Sequence, residues 1–343
     1  MAGKTGTPTA ERRMSVSSSS QPLMTRAQET LIDAAERIRL DAGASPNELA
    51  FITRELVLAT LPHRQPNLVD GKLPPVWSRT NGNYTLSIQP GYARNHRGEM
   101  ECVGYPCGTI PRLLLLFLNT EVVKKQQRSV AMGRDLRSFM RKIGLKPETG
   151  GGKRGDAARL KDQMNRLFRS TISFDYSDQN RGSFVNLRIA DAATIFWTPH
   201  SEDQPALWES EVRLSEEFYK ALLNNPVPIV PEAIAALKGS ALALDLYVWA
   251  SWMSFRAQQR GKAFTVSWDS LLAQFGSGYS NAKNFKREVK KALRKIEPVY
   301  PELRVSYGRG FLIVEPYSRP AVSGKPTRTK KRIGSSRPSA DCA

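Results

Sequence analysis

The chain has 343 residues, enough for two or three domains of ordinary size, and 40% of them are hydrophobic, so a sizeable core can form. A formal net charge of +19 attracts polyanions and narrows the partners to nucleic acid or an anionic membrane surface. The longest apolar run, Leu113–Leu118, is too short to span a bilayer, so no membrane-spanning segment is expected, and of the two polyanions nucleic acid, not a membrane, is the expected partner.

Residues 1–21 are rich in Ser and Thr and poor in apolar side chains, which predicts a disordered tail. Arg12 and Arg13 without an apolar stretch argue against a secretory signal, and the missing amphipathic pattern argues against a transit peptide. Residues 22–108 read as a helical arm and linker. Leu31, Ala34, Ala35 and Ile38 share one helical face. Leu49, Ile52, Leu56 and Leu58 predict a second helix after Ser45-Pro46. A helical hairpin and a partner-binding arm both fit this region. Residues 62–82 are rich in Pro and Asn and read as a linker, before a strand at Tyr84–Ile88. The odd set Cys102, Cys107 and Cys342 argues against a disulfide framework and fits a reducing cytosol. Cys102 and Cys107 have a spacing found in zinc sites, but no second Cys or His pair follows, and His63, His96 and His200 are isolated. Small thiols and no metal are expected.

A first unit spans residues 109–200. Helices are predicted at Pro111–Val123, Arg134–Ile143 and Asp156–Arg169, with a glycine-rich turn at Pro147–Gly155. The third helix buries Leu160, Met164, Leu167 and Phe168 and turns Arg159, Asn165, Arg166 and Arg169 outward. A hairpin follows at Thr171–Tyr176 and Ser183–Ile189, with Arg181 near its turn. A second unit takes residues 201–317. A strand at Trp208–Leu214 and a short helix from Ser215 to Leu223 lead to Pro226–Pro231, which breaks the pattern, and to an apolar helix at Ser240–Gln258. Then come a strand at Phe264–Ser267, a short helix at Asp269–Phe275, a Gly276–Gly278 turn, a basic helix at Asn281–Glu297 and a hairpin at Leu303–Val314. Residues 318–343 read as a basic disordered tail.

Strand, short helix, turn, basic helix and hairpin is the order of a winged helix, which sets its second helix into the DNA major groove. The two units repeat this order. Gln126-Gln127-Arg128 and Gln258-Gln259-Arg260 close their first helices at an offset of 132 residues. The expected fold is therefore α+β, with tandem winged-helix domains. Five segments follow: 1–21, 22–108, 109–200, 201–317 and 318–343.

The helix Asn281–Glu297 holds seven Lys or Arg against two Glu, and its apolar stripe Phe285, Val289, Leu293 and Ile296 faces a core. Asn281, Lys283, Asn284 and Arg287 in its first turns are types that bond base edges. Lys290, Lys291 and Arg294 suit phosphates, and Arg309 sits at the hairpin tip. Gly150–Gly155 is no Walker A loop, because Pro147 stands where its first Gly is needed and Arg154 follows Lys153 in place of Ser or Thr. Lys153 and Arg154 are expected to touch phosphates. No His-x-His pair, two-metal carboxylate cluster or Gly-x-Ser-x-Gly motif supports a catalytic assignment, so neither an enzyme nor a cofactor is expected. Trp197, Trp208, Trp249, Trp252 and Trp268 fall in apolar elements and are expected in the core.

Gly104-Tyr-Pro-Cys-Gly108, Pro111-Arg-Leu-Leu-Leu-Leu116, Thr120-Glu121, Gly133 followed by Leu136 and Phe139-Met140, Gly144, the Gly150–Gly155 turn and the basic helix after it form an ordered series. Over about Gly91 to Tyr317 this series resembles the plasmid-encoded RepA family of replication initiators. The resemblance implies a cytoplasmic bacterial protein that binds repeated double-stranded DNA sites at a plasmid origin and opens AT-rich DNA nearby. It also implies copy control, help in loading the replicative helicase beside the host initiator protein, and a homodimer in equilibrium with a DNA-bound monomer. A transcriptional regulator or partition protein on the same fold is the alternative.

Overall fold

The computed structural model describes residues 25–40, 48–133, 135–147, 155–177, 182–195, 210–224, 226–276, 278–279, 281–316, 318 and 322. Both terminal tails expected to be disordered lie outside these, apart from residues 318 and 322. The fold mixes helix and strand, as expected for α+β.

Helix α1 (Arg26–Leu40) turns Ala34 and Ala35 inward. Where one helix was predicted next, the chain forms strand β1 (Ala50–Thr53) and then helix α2 (Arg54–Leu58). Thr53 decides the break: its backbone is extended and its hydroxyl accepts from the Glu55 N–H, capping α2. Strand β2 (Trp77–Asn81) lies inside the expected linker and forms a hairpin with β3 (Tyr84–Gln89). A second hairpin joins β4 (Tyr92–Arg94) to β5 (Met100–Cys102).

The first unit contains α3 (Thr109–Lys125), β6 (Ser129–Gly133), α4 (Leu136–Lys142), α5 (Asp156–Arg169), β7 (Thr171–Ser177), β8 (Gly182–Arg188) and β9 (Ala190–Thr194). Then come β10 (Ser210–Leu214), α6 (Glu216–Asn224), β11 (Pro226–Ile229) and α7 (Pro231–Leu237). The second unit is α8 (Ala241–Arg260), β12 (Phe264–Ser267), α9 (Trp268–Phe275), α10 (Ala282–Ile296), β13 (Val305–Tyr307) and β14 (Phe311–Val314). The proline segment expected to break the pattern is thus strand β11, which pairs antiparallel with β1. It is part of a two-stranded sheet and buries Val227 and Ile229, while Pro226 and Pro228 alternate with them and need no ladder N–H at an edge.

Parts of the repeat hold in detail. Asp135 caps α4 by accepting from the Ser138 N–H, and Ser267 caps α9 by accepting from the Ser270 N–H, at the 132-residue offset seen in the sequence. Phe139 and Leu271, and Ile143 and Phe275, are buried pairs at the same offset. The sheets differ. In the second unit β12 closes onto the hairpin in the order β12-β14-β13. In the first, the hairpin β7–β8 extends β2-β3, while β6 pairs with β10 in a separate sheet β6-β10-β9.

Two apolar clusters form the core. One gathers α8, α9, α10 and β14 with α1, β11 and α7; the other gathers α3, α4 and α5 with β3, β10 and α6. Helix α3 feeds both, with Leu113 and Leu116 in the first and Leu114, Leu115 and Leu118 in the second. A helix buried on all sides has to be apolar on all sides, which explains the run Leu113–Leu118. Trp249 and Trp268 are buried and Trp252 is half-buried, while Trp197 and Trp208 lie outside the described residues.

Candidate nucleic-acid interface

Helix α10 buries Phe285, Val289, Ala292, Leu293 and Ile296. Its N-cap is Asn281, whose side-chain oxygen accepts from the Lys283 N–H at 2.7 Å, so the amide nitrogen is the part left to face a ligand. Lys283, Asn284, Arg287, Lys291 and Arg294 are exposed and follow one another at helical spacing, forming a row opposite the core. Arg287 is 71% and Lys291 66% exposed, and Glu288 approaches them only loosely, at 3.5 and 3.9 Å. The expected set does not all share this row. Lys290 is half-buried, with its ammonium 4.4 Å from the centroid of the Tyr307 ring. Lys286, one turn earlier, reaches the carbonyls of Gly308 and Arg309 at 3.5 and 3.2 Å. The hairpin tip with exposed Arg309 therefore lies beside the basic helix.

Helix α5 is placed differently. Arg159 is exposed and pairs with Asp156 at 3.0 Å. The C-terminal half lies against residues that precede α3. Arg166 pairs with Asp162 at 2.9 Å and donates to Gln65 Oε1 at 2.8 Å, with a longer contact to the Tyr105 carbonyl. Arg169 donates to the Tyr92 carbonyl at 3.2 Å and to Asn165 Oδ1 at 2.6 Å. A Cβ on Gly91 would collide with Arg169, so the chain passes directly over this face. Of the four residues expected to turn outward, Arg159 and Arg169 are exposed, although Arg169 also bonds to the preceding segment, while Arg166 is half-buried against that segment and half-buried Asn165 accepts from Arg169 on its own helix. Lys153, Arg154 and Arg181 lie outside the described residues.

The Gly104–Gly108 turn is explained by the same packing. Gly104 has φ +87°, a backbone conformation that favours glycine, and sits against the side-chain ends of Gln65 and Arg166, which an added Cβ would displace. Tyr105 is fully buried and donates to the Pro74 carbonyl at 2.6 Å, and the Cys107 N–H donates to Gln163 Oε1 at 2.8 Å. Burial pushes the Cys107 thiol up. Cys102 and Cys107 are free, and among the described residues no group of three or more His, Cys, Asp or Glu could hold a metal ion. Among those residues no helix is long and apolar enough to cross a membrane.

The two units are joined by buried polar groups that sequence reasoning missed. Arg112 on α3 binds Asp245 on α8 through two bonds of 2.7 Å, and its remaining donors reach the carbonyls of Leu61, Pro62 and Gly108. His63 Nε2 lies 2.8 Å from Asp245 Oδ2. Burial pushes the Asp245 carboxyl up, but the Arg112 charge and the bonds from His63 and Arg112 outweigh it and hold the group below the usual carboxylate range. Burial lowers the His63 pKa below its usual value, against the opposing bond to Asp245. Nearby, Arg79 donates to the Gln274 carbonyl at 2.6 Å, and Gln274 Nε2 donates to the carbonyls of Val57 and Leu58. One sequence signal was available: Arg112 and Asp245 are opposite charges set inside the apolar first halves of two helices whose other charges lie towards their C-terminal ends.

No curated protein matches the chain. Among solved structures it is similar to a crystal structure of SeMet derivatives of domain2 and domain 3 of RctB, with a TM-score of 0.44 and 10% identity over 76% of this chain and 95% of that one. A likeness at that level carries neither fold nor function across. Residues 105–270, from the buried Tyr105 to the first turn of α9 and so short of α10 and its hairpin, match the family model for plasmid encoded RepA protein, which bears out the family resemblance over a narrower span than Gly91–Tyr317.

Proposed function

We propose that the chain is a non-enzymatic plasmid replication initiator that binds repeated sequences in double-stranded origin DNA through two winged-helix units. The units would be residues 109–200 and 201–317, with 22–108 as the arm. The observation that carries this reading is the exposed row Lys283, Asn284, Arg287, Lys291 and Arg294 on α10, flanked by a hairpin tip that bears Arg309. In this arrangement the first turns of α10 face base edges, the later cations meet phosphates, and Arg309 meets a phosphate or the minor groove. The family match over residues 105–270 supports the plasmid setting. Unit one would contribute less, through Arg159 and the glycine turn. A bacterial cytoplasmic location, origin opening, a homodimer and contacts with the host initiator and replicative helicase belong to the same proposal.

Footprinting on the plasmid's origin tests it. Two units set in successive major grooves protect more than one turn of DNA, about 34 Å between groove centres. Protection of a single groove counts against the tandem reader, and no preference over random DNA at about 150 mM salt sinks sequence-specific binding. A minimal plasmid that still replicates without the gene points instead to a regulator or partition protein.

A further inference from the structure

The hairpin tip is held from below by two side chains. The Trp268 backbone N–H donates to the Gly310 carbonyl at 3.2 Å, and its indole N–H reaches the Gly308 carbonyl at 3.4 Å. Lys286 lies over the Trp268 ring, 4.7 Å from its centroid, and approaches the carbonyls of Gly308 and Arg309. One ammonium thus touches the tip backbone, an aromatic face and, through its own stem, the basic helix. Trp268 is buried and fixed as the first residue of α9, so the contact has a rigid base. Lys290 repeats the arrangement one turn along, over Tyr307. Strand β12 pairs with β14 only as far as Ser267 opposite Phe311, so residues 308–310 project past that ladder and these contacts are what tie them to α9 and α10.

We propose that Lys286 is a positioning residue. It does not contact DNA itself; it latches the hairpin tip to α10 and so fixes Arg309 at a set offset from Arg287. This rests on the DNA-binding reading above. Two consequences separate it from an ordinary phosphate contact. The latch exists in the free protein, and the contribution of Arg309 to binding depends on Lys286.

The test uses the full chain in two arms. Hydrogen exchange on the free protein reads the Trp268 and Gly308 amides, each bonded across the tip. With Lys286→Met they exchange about tenfold faster while α10 is unchanged, and Lys286→Arg restores most of the protection. The second arm uses a duplex that the wild-type protein enriches from a random pool. Arg309→Ala weakens binding on the order of tenfold in the wild type but less than about twofold in Lys286→Met. The double variant flattens the salt dependence by about one phosphate contact, not two. Unchanged exchange overturns the latch. Penalties that multiply, with the loss of two contacts, overturn positioning and make Lys286 an independent phosphate ligand. If no duplex is enriched, the DNA reading fails and the role of Lys286 in it falls too, whereas the exchange arm judges the latch alone.

Discussion

Arg287 and Lys290 show why residue type and spacing do not settle a role. Both are basic, three positions apart on one helix, and both were expected to meet DNA, Arg287 at a base edge and Lys290 at a phosphate. Arg287 projects from the exposed row, with Glu288 only at 3.5 Å, so its guanidinium keeps its full donor set for a base edge. Arg287→Ala is expected to cost about 1–3 kcal/mol in discrimination at one base pair if the contact is bidentate to guanine. Binding to single-base variants of the enriched site checks this, and an equal loss on every sequence would make Arg287 a phosphate contact. Lys291, in the same row, is the better phosphate ligand: Lys291→Ala should weaken all duplexes alike and reduce the salt slope by about one. Lys290 spends its charge on Tyr307, and no one-helix pattern could reveal that, because the ring belongs to a strand that folds back later in the chain.

Helix α10 was legible at the level of elements because its stripe of Phe285, Val289, Leu293 and Ile296 has one period and one core. Its first residue carries two roles that mutation can separate. Asn281→Ala removes the bond to the Lys283 N–H and should cost about 1 kcal/mol of stability, whereas Asn281→Ser keeps a capping oxygen. If Asn281 also reaches a base, both variants lose DNA affinity and only the first loses stability, as denaturation and binding curves will show. Strands β1 and β11 were not legible. Leu49, Ile52 and Leu56 fit a helical face, and the partner that makes Ala50–Thr53 a strand lies near residue 228. The covering of α5 was hidden for the same reason. Arg166 and Arg169 look like a free basic face until Gln65, Gly91 and Tyr105 arrive from the preceding segment.

For the whole molecule, the question is what holds the two units in a fixed relation. Their first helices meet through Arg112 and Asp245, and removing one partner of a buried pair leaves an uncompensated charge. Arg112→Met should cost about 3–5 kcal/mol, because it also strips a donor from the Leu61, Pro62 and Gly108 carbonyls. His63 adds a pH dependence whose sign is fixed. Its folded pKa lies below 6.5, chiefly through burial, with the nearby Arg112 and Arg79 charges acting the same way and Asp245 opposing them. Below about pH 6.5 the unfolded chain takes up a proton that folded His63 refuses, so stability falls with pH, by at most about 1.4 kcal/mol per pH unit for one group. Asp245 acts in a separate window, since its contribution is lost only as pH drops through a folded pKa that lies under 3.8. His63→Gln keeps an N–H donor for Asp245 but cannot titrate. The melting temperature of the wild type should therefore fall more steeply between pH 7 and 5 than that of His63→Gln, with both melting alike near pH 8. Parallel curves over that range would mean that His63 binds its proton equally in both states and that burial at the joint does not exclude it.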